Sequence, residues 1–442
     1  MRLSGETFLL SASDIVGHLN CRHLTGLDRA VAEGVIPKPK VWDPLLQILS
    51  ERGSAHEQAY IEHLQAAGYQ VVRIDGVEVT DSAVADTIAA MQSGMQVIVQ
   101  GALAHDHWVG RADILRRVET RPGRFGSWSY EAIDTKLARE TKAGAILQLC
   151  LYSDLLAHAQ GVEPALMSVV APWSDFIPQQ FRYADCAAYF RKVKHALSDS
   201  MSAAAIGDTY PDPKDHCDVC RWRESCDKRR RDDDHLSLVA NISKLQIGEL
   251  KARGVGTLAQ LAALPLPLSW KPDRGSVDSY ARIREQARLQ FEARESGERK
   301  IEILPIEQGF GLCCLPAPSP GDIFLDFEAD PFVGEHGIEF LFGYVLEVEG
   351  RSVYKGHWAF TRDDEKKAFE NFVDLVMSRW ESFPGLHIYH YAPYEPAALK
   401  RLMGRYATRE EEIDRMLRAG LFVDLFAVVR RALRAGVESY SI

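Results

Sequence analysis

The sequence predicts an α/β protein in which two α/β units are joined by a helical connector. Helical periodicity over residues 12–66 gives way to β-type alternation from Tyr69, and a second strand-rich stretch begins at "GDIFLDFEADPF". Short amphipathic helical patterns lie between these two stretches. The 442 residues therefore divide into segments 1–232, 233–314 and 315–442.

The composition, 46% hydrophobic and 26% charged, is typical of a globular protein. No 18-residue apolar run is present, so we expect a cytoplasmic chain with no membrane partner. Eight cysteines in such a chain indicate thiolate ligands wherever they cluster, rather than disulfides. At a net charge of −10, a nucleic acid must be bound by local patches such as "KLARETK" and "DKRRR", which are equally typical of solvated helix faces.

The first segment is predicted as a β-meander between helices. The strings "YQVVRIDG", "MQVIVQGALAHDHWVGRADILRRVE" and "WSYEAIDTKLA" alternate as strands do, and "TRPGRFGS" is turn material. A helix from about Lys142 to Ala159, an apolar strand "ALMSVVAPW" and a helix near 184–202 follow. This order makes a compact α/β unit.

Two carboxylates and a lysine are predicted to meet on the meander. Side chains alternate along a strand, so Asp134 and Lys136 of "EAIDTK" share a face, and strand pairing can bring Asp113 of "GRADIL" beside them. Such carboxylates are ligands for Mg²⁺ or Mn²⁺, and a lysine can orient water and offset transition-state charge, which indicates phosphodiester hydrolysis. A D-x-K pattern alone is more often a solvent-facing salt bridge.

Residues on the flanking helices extend this pattern. "RGSAHE" carries His56, a candidate third metal ligand, and "QLCLY" carries Gln148 and Tyr152 one helical turn apart. In the order G-x-x-H, G-x-x-D, D-x-K and Q-x-x-x-Y, the motifs resemble the RecB branch of the PD-(D/E)xK nucleases over about residues 10–230.

The resemblance implies a restriction-endonuclease-like core and a set of site residues. The metal ligands and catalytic residues that it implies are His56, Asp113, Asp134, Lys136, Gln148 and Tyr152. The sequence departs from the family pattern in having Asp134 where Glu is commoner and no proline before Asp113.

The segment "HCDVCRWRESCDKRRR" contains Cys217, Cys220 and Cys226 at C-x2-C-x5-C spacing, one thiolate short of a usual metal centre. In the iron–sulfur members of the RecB branch, including AddB-type and CRISPR-associated four-cysteine nucleases, one cysteine precedes the core and three follow it. The resemblance implies that Cys21 of "HLNCRHL" is the fourth ligand of a [4Fe–4S] cluster that staples the two ends of the nuclease together. Zinc is the alternative occupant.

The connector is predicted to be helical. "LSLVANISKLQIGELKARGVGTLAQLAAL" gives two short helices joined by "RGVGT", and this resembles a helix-hairpin-helix module, whose glycines let turn amides approach a phosphate. A plain helical linker explains the pattern equally well. The charged helix "SYARIREQARLQFEARESGERK" closes the connector.

The last segment is predicted to have strands at 322–328, 337–349 and 352–360, a helix at 362–380 and a strand at "GLHIYHY". In "IFLDFEADPF", two acids lie two residues apart on a strand and so face the same way, as in the first motif of DEDD exonucleases. With "YHYAPYE" and a final helix in "LFAVVRRALRAGVESYSI", the segment resembles the YprB-type RNase H-like domain. The candidate metal ligands are Asp326, Glu328, Glu395, which replaces the usual Asp, and Asp424.

The resemblance also implies a context. YprB-type domains accompany RecB-like nucleases, often ahead of a superfamily 1 helicase, so a helicase downstream or in trans is an expected partner. The fourth acid of a DEDD site is expected beyond "YSI", so this domain is predicted to be truncated, and a non-catalytic scaffold is the alternative.

Together these patterns predict a metal-dependent DNA nuclease acting on single-stranded DNA or DNA ends, in DNA repair, recombination or defence. The alternatives are a catalytically silent nucleic-acid-binding scaffold of a recombination complex and an RNA-cleaving nuclease.

Overall fold

The structure is a computed structural model, and it divides into two compact units, Met1–Cys226 and Asp227–Ile442. The residues that it describes are 1–41, 43–138, 140–202, 209–334 and 336–441. Both units contain helices packed on sheets, which confirms the predicted α/β class. No helix in the described ranges has the length and apolar character needed to cross a membrane.

The described residues of the first unit form eight strands and six complete α-helices. The strands are β1 Arg2–Ser4, β2 Thr7–Leu9, β3 Val71–Arg73, β4 Val97–His105, β5 Trp108–Val118, β6 Ser129–Thr135, β7 Leu166–Val170 and β8 Gln179–Arg182. The helices are α1 Ala12–Asn20, α2 Arg22–Ala32, α3 Pro44–Ala66, α4 Asp81–Gln92, α5 Ala143–Gln160 and α6 Tyr183–Ser202. A further helix, α7 Arg223–Asp232, begins in this unit and continues into the next.

Strands β3 to β8 form one six-stranded sheet in chain order. The β3–β4 and β6–β7 pairs are parallel, and the other neighbours are antiparallel. Helix α3 packs on one face through Tyr60, Ile61 and Leu64, whereas the other face packs on α4, α5 and α6. Because both faces are covered, the middle strands have few exposed side chains.

Helix α5 positions residues of the predicted site. It is apolar around most of its circumference, as expected for a helix between the sheet and an outer layer, here α1 and α6. Its last turn ends at Gly161, which has a left-handed φ of 75° that favours glycine. The sequence analysis predicted this helix, but it assigned no element to α4, whose string "DSAVADTIAAMQ" is rich in small and polar residues.

Within the described part of the second unit there are seven strands and seven complete α-helices. The strands are β9 Ile301–Ile303, β10 Ile323–Asp330, β11 Ile338–Val348, β12 Arg351–Trp358, β13 Ile388–His390, β14 Phe422–Asp424 and β15 Leu433–Ala435. The helices are α8 Lys244–Ala252, α9 Leu258–Ala262, α10 Val277–Ser296, α11 Arg362–Ser382, α12 Tyr394–Tyr406, α13 Glu410–Arg418 and α14 Leu425–Ala432.

The main sheet of the second unit has the order β12-β11-β10-β13-β14. The first three strands are antiparallel, and β13 and β14 continue the sheet in parallel with β10. Phe342, Phe369 and Phe372 are fully buried where α11 and α12 pack on this sheet. The main sheet and its helices thus have a core of their own.

The predicted connector, 233–314, lies within the second unit and packs a separate small core from α8, α9 and α10. Its "RGVGT" turn joins α8 to α9 as expected, with Gly254 at a φ of 82°. The turn amides of Gly256 and Thr257 donate to the Gln260 side chain at 2.7 and 3.3 Å. These amides are already hydrogen-bonded, which favours the plain-linker alternative.

The prediction of one long final helix is wrong. Helix α14 ends at Ala432, and Leu433–Ala435 turn into β15, which pairs antiparallel with β9. The phenol of Tyr440 then donates to Oε1 of Gln286 on α10 at 2.9 Å. Pairing with a strand 130 positions away in sequence overrides the local helical propensity of this segment.

Candidate active sites

Asp113 and Asp134 form the centre of the candidate site in the first unit. Ile114 pairs with Ile133 across β5 and β6, so one step further along each strand the two aspartates face each other. Asp134 is completely buried. Burial, and then the charge of Asp113, raise the pKa of Asp134 well above its ordinary value, with Lys136 acting in the opposite direction. Two adjacent carboxylates of this kind favour a cation between them.

Lys136 completes the predicted corner. Its Nζ lies 2.6 Å from Oδ2 of Asp134, and the Lys136 side chain is about one-third exposed, so it connects a buried carboxylate with solvent. Asp113 is held by a different residue. Its Oδ2 accepts from the backbone N–H of Thr135 at 3.0 Å and from the hydroxyl of Thr135 at 3.2 Å. The alternative of a simple solvent-facing salt bridge does not describe this group, since Asp134 has no contact with solvent.

Gln148 and Tyr152 reach the same corner from α5. Nε2 of Gln148 donates to the Tyr152 phenol oxygen at 2.9 Å and lies 3.4 Å from Oδ1 of Asp134. Burial raises the pKa of Tyr152 above its ordinary value, so its phenol stays protonated at neutral pH. The helical i, i+4 spacing of Q-x-x-x-Y therefore places both side chains beside the carboxylates.

The ring of His56, the predicted third metal ligand, is held by contacts within the first unit. It is buried on α3, its Nε2 lies 3.0 Å from the carbonyl oxygen of Val170, and its ring stacks on Phe176. In this conformation Nε2 is engaged by the backbone, so only Nδ1 or a rotated ring can act as a metal ligand.

Glu57, the neighbour of His56, was not among the predicted residues. The charges of Asp113 and Lys136 both act on its pKa, which burial raises above the ordinary value. Nε2 of Gln100 donates to Oε1 of Glu57 at 2.9 Å. Gln100 has a φ of 55° within β4, a left-handed conformation that is uncommon in strands and is often found near functional sites.

A cavity of about 760 Å³ opens on the first-unit site. The cationic and polar side chains that line it include Lys38, Arg111, Lys136, Lys142, Gln148, Tyr152 and Arg221. Arg111 is anchored, since its guanidinium donates to the carbonyls of Ile74, Asp75 and Glu78. Asp14, Asp28 and Glu140 also line the cavity, and Lys136, Gln148 and Tyr152 connect its wall to the carboxylate corner.

The predicted cysteine ligands lie where the two ends of the first unit meet. Cys21 separates α1 from α2, and Trp222, next to Cys220, donates from Nε1 to Asp28 on α2 at 3.1 Å. Burial raises the pKa of the Cys220 thiol, and nearby Cys217 and Cys21 contribute in the same direction. All four cysteines are partly buried, and within the described ranges they do not form a grouping with the geometry of a metal site.

The second unit gathers three of its four predicted acids. Glu395 on α12 is buried, and burial together with the charges of Asp326 and Asp424 raises its pKa to about 7. Its Oε2 lies 3.6 Å from Nδ1 of His390 and has no hydrogen-bond partner in the part of the chain that the structure describes. Asp424 accepts at Oδ1 from the N–H groups of Phe426 and Ala427 and so caps α14. Glu328 is exposed two residues beyond Asp326 on β10.

Each group of candidate ligands can be compared with the metal that it is expected to bind. No grouping of three or more His, Cys, Asp or Glu side chains with the geometry of a metal site occurs among the described residues. The buried pair Asp113–Asp134 nevertheless fits a hard divalent cation in donor chemistry, because oxygen ligands suit Mg²⁺ and Mn²⁺. The orphaned Oε2 of Glu395 beside Asp326 and Asp424 fits in the same way. The cysteines fit iron or zinc in donor type.

Comparison with protein families gives two matches. The family model of the PD-(D/E)XK nuclease superfamily matches residues 25–227, and that of the RNase H superfamily matches residues 323–442. No curated protein matches the chain. The first match contains the carboxylate corner and three of the four cysteines, while Cys21 precedes it. The chain carries a PD-(D/E)XK nuclease superfamily domain followed by an RNase H superfamily domain, and both indicate a nuclease.

Proposed function

We propose that the first unit hydrolyses phosphodiester bonds in DNA with Mg²⁺ or Mn²⁺. One observation carries the proposal, namely the fully buried Asp134 in contact with Asp113 and with the ammonium of Lys136. Asp113 and Asp134 would hold the metal, which would supply Lewis-acid activation of the phosphate and of water. His56 is the proposed third ligand, after it turns from Val170.

The protein's own side chains have separate tasks in this proposal. Lys136 orients the attacking water and offsets the charge that develops on the phosphate. Gln148 holds Asp134 and Tyr152 in position through its carboxamide. Glu57, beside Asp113 and Lys136, adds a carboxylate that can accept a proton or a water hydrogen bond.

Single-stranded DNA or a DNA end is the proposed substrate, in repair, recombination or defence. The cavity of about 760 Å³ supports this, since its basic lining suits a phosphate backbone although the chain as a whole has a net charge of −10. RNA cleavage and a silent scaffold are the alternatives. We place the protein in the cytoplasm and propose a helicase as its partner.

Cys21, Cys217, Cys220 and Cys226 are proposed to hold a [4Fe–4S] cluster with a structural role, with zinc as the alternative. The support is the proximity of Cys21 to Cys217 and Cys220 across nearly 200 residues of sequence. For the second unit we propose a YprB-type domain with a divalent-metal site. The residues of this site are Asp326, Glu328, Glu395 and Asp424.

The decisive experiment measures cutting of end-labelled single- and double-stranded DNA and RNA by the intact protein with Mg²⁺ or Mn²⁺. Asp113→Asn, Asp134→Asn and Lys136→Ala should each lower the rate by about 100-fold or more, as expected when a metal ligand or a charge-stabilising group is lost. Asp326→Asn is the matched control, because it removes an acid from the other unit. If Asp326→Asn alone silences all cutting, the chemistry belongs to the second unit.

A further inference from the structure

The main sheet of the second unit has one face that its helices leave open. On β10, Ile323, Leu325 and Phe327 point into the core, whereas Phe324, Asp326 and Glu328 alternate with them and point away. In antiparallel sheets, directly paired residues point to the same side. The open face therefore extends from β10 over the paired residues of β11 and β12.

Three rows of side chains cross this face at right angles to the strands. From β10 through β11 to β12, the rows are Phe324–Val345–Tyr354, Asp326–Gly343–Gly356 and Glu328–Leu341–Trp358. The row that begins with Asp326 has no side chain of its own beyond the acid, so a side chain from a neighbouring row can lie over its two glycines.

A tyrosine borders the glycine row. A Cβ on Gly343 or on Gly356 would lie 3.0 Å from the hydroxyl oxygen of Tyr354, which is 61% exposed. The ring of Tyr354 thus leans over both glycines and carries its hydroxyl group toward the row of Asp326. Any side chain at either glycine would displace this ring.

Aromatic rings border the glycine row on its other side. Trp358 is 58% exposed and Phe360 is 76% exposed, and their ring planes are within 12° of parallel at a centroid separation of 6.0 Å. Phe340 stacks on Trp358 at 6.0 Å and 21°. Scattered exposed apolar side chains are ordinary, but a row of near-parallel exposed rings is a platform for flat, stacked molecules.

We propose that this face binds a single-stranded nucleic acid, with bases stacked on Trp358 and Phe360 and the backbone passing the Tyr354 hydroxyl toward Asp326. The inference rests on the divalent-metal site proposed for the second unit, because Asp326 is one of its candidate ligands. Duplex DNA is excluded from this mode of binding, since its bases are already stacked on each other. Because the exposed rings of Trp358 and Phe360 adjoin the row that contains Asp326, we assign nucleic acid rather than protein as the occupant.

Photo-crosslinking tests the inference directly. The intact protein is irradiated with an oligodeoxynucleotide that contains 5-iodouracil, in EDTA so that nothing is cut, and the adduct is mapped after trypsin digestion. Cleavage after Lys355 and Arg362 releases a peptide, residues 356–362, that holds both Trp358 and Phe360. We expect the adduct on this peptide, with competition by unlabelled single strands and much weaker competition by duplex.

Matched variants make the result specific. Trp358→Ala and Phe360→Ala should each lower the yield of this adduct about tenfold, whereas Trp358→Phe, which keeps a ring, should retain most of it. Both positions are exposed, so the melting temperature should stay unchanged. Adducts confined to other peptides would overturn the inference. So would sedimentation as a dimer that Trp358→Ala converts to monomer, since a second copy would then cover the face.

Cutting is a separate measurement. An adduct on residues 356–362 in a protein whose cutting is unaffected by Asp326→Asn supports the binding face and rejects catalysis by the second unit. Cutting that depends on Asp326, with no adduct on this peptide, supports catalysis and rejects the binding face.

Discussion

The ring of Tyr152 lies against Gly110, where a Cβ atom would be only 2.9 Å from two ring carbons. Gly110 begins the G-x-x-D motif on β5, and Tyr152 ends the Q-x-x-x-Y motif on α5, so two separate motifs are in direct contact. The missing side chain lets α5 approach the sheet. This approach sets the position from which Gln148 meets Asp134.

Gly110→Ala should therefore reduce nuclease activity. The added methyl group must displace the Tyr152 ring, which moves Gln148 away from Asp134 and costs about 1–3 kcal/mol of stability, as overpacking usually does. We expect at least a tenfold lower rate, measured on end-labelled single-stranded DNA, together with a lower melting temperature.

Gly53→Ala is the control for this variant. Gly53 begins the G-x-x-H motif on α3, and no heavy atom of the described residues outside its own stretch of helix lies within 4 Å of the position that its Cβ would take. Because alanine is the better helix former, this change should stabilise the helix by about 0.5–1 kcal/mol and leave the rate unchanged. Equal losses in both variants would mean that the glycines act through something other than the Tyr152 contact.

Asp134→Asn should stabilise the metal-free protein at neutral pH. The folded pKa of Asp134 is raised, so the folded state binds more protons than the unfolded state between the two pKa values, and ionisation costs stability as the pH rises through this range. Removing the charge should raise the melting temperature by about 2–4 °C, which corresponds to about 1 kcal/mol for a unit of this size.

The pH series checks the sign of this effect. The advantage of Asp134→Asn should be present at pH 7 to 8 in EDTA, should shrink at acid pH where Asp134 is protonated, and should vanish or reverse when Mn²⁺ is added. A variant that is less stable than the parent in EDTA at pH 7 would show that the Lys136 ion pair outweighs the burial of Asp134.

Gln100→Gly tests the role of Glu57. Glycine tolerates the φ of 55° at this position, so the backbone of β4 is kept while the hydrogen bond to Glu57 is lost. Since that bond lowers the pKa of Glu57, its loss should raise the pKa and weaken metal-dependent cutting by about 3- to 10-fold at pH 7. An unchanged rate across pH 6 to 9 would remove Glu57 from the site.

The sequence was sufficient to predict the carboxylate corner, because alternation on β5 and β6 and the i, i+4 spacing on α5 are local rules that the structure follows. It was not sufficient for Glu57. The position of Glu57 near Asp113 depends on the rotation of α3 about its axis, which is set by packing of Tyr60 and Leu64 on the sheet. The sequence analysis also did not predict helix α4 or strand β15. In both segments the local sequence pattern is weak, and tertiary contacts determine the secondary structure.

Cys21→Ser should lower bound iron and stability together. The structure brings Cys21 near Cys217 and Cys220. Loss of one thiolate should therefore release the proposed cluster from anaerobically purified protein. Iron content and absorbance at about 400 nm measure this release. Cys313→Ser is the matched control, because Cys313 is exposed and lies in the second unit. Stoichiometric zinc without iron would show that the cysteines hold zinc rather than a cluster. An unchanged melting temperature would exclude Cys21 as a ligand.

Any activity of the second unit should appear in the Asp113→Asn background, where the first site is disabled. The residual cutting should disappear on Glu395→Gln, because Glu395 lies between the charges of Asp326 and Asp424. The pKa of Glu395 is raised to about 7, so protons compete with the metal below that pH, and Mn²⁺ affinity should rise about tenfold per pH unit from pH 5.5 to 7 before levelling off. Calorimetric titration of Mn²⁺ into the Asp113→Asn protein measures this directly. An Mn²⁺ affinity that is independent of pH over this range would show that Glu395 is not a ligand, and so would residual cutting that survives Glu395→Gln. The RNase H superfamily domain would then use other residues or serve only as a scaffold.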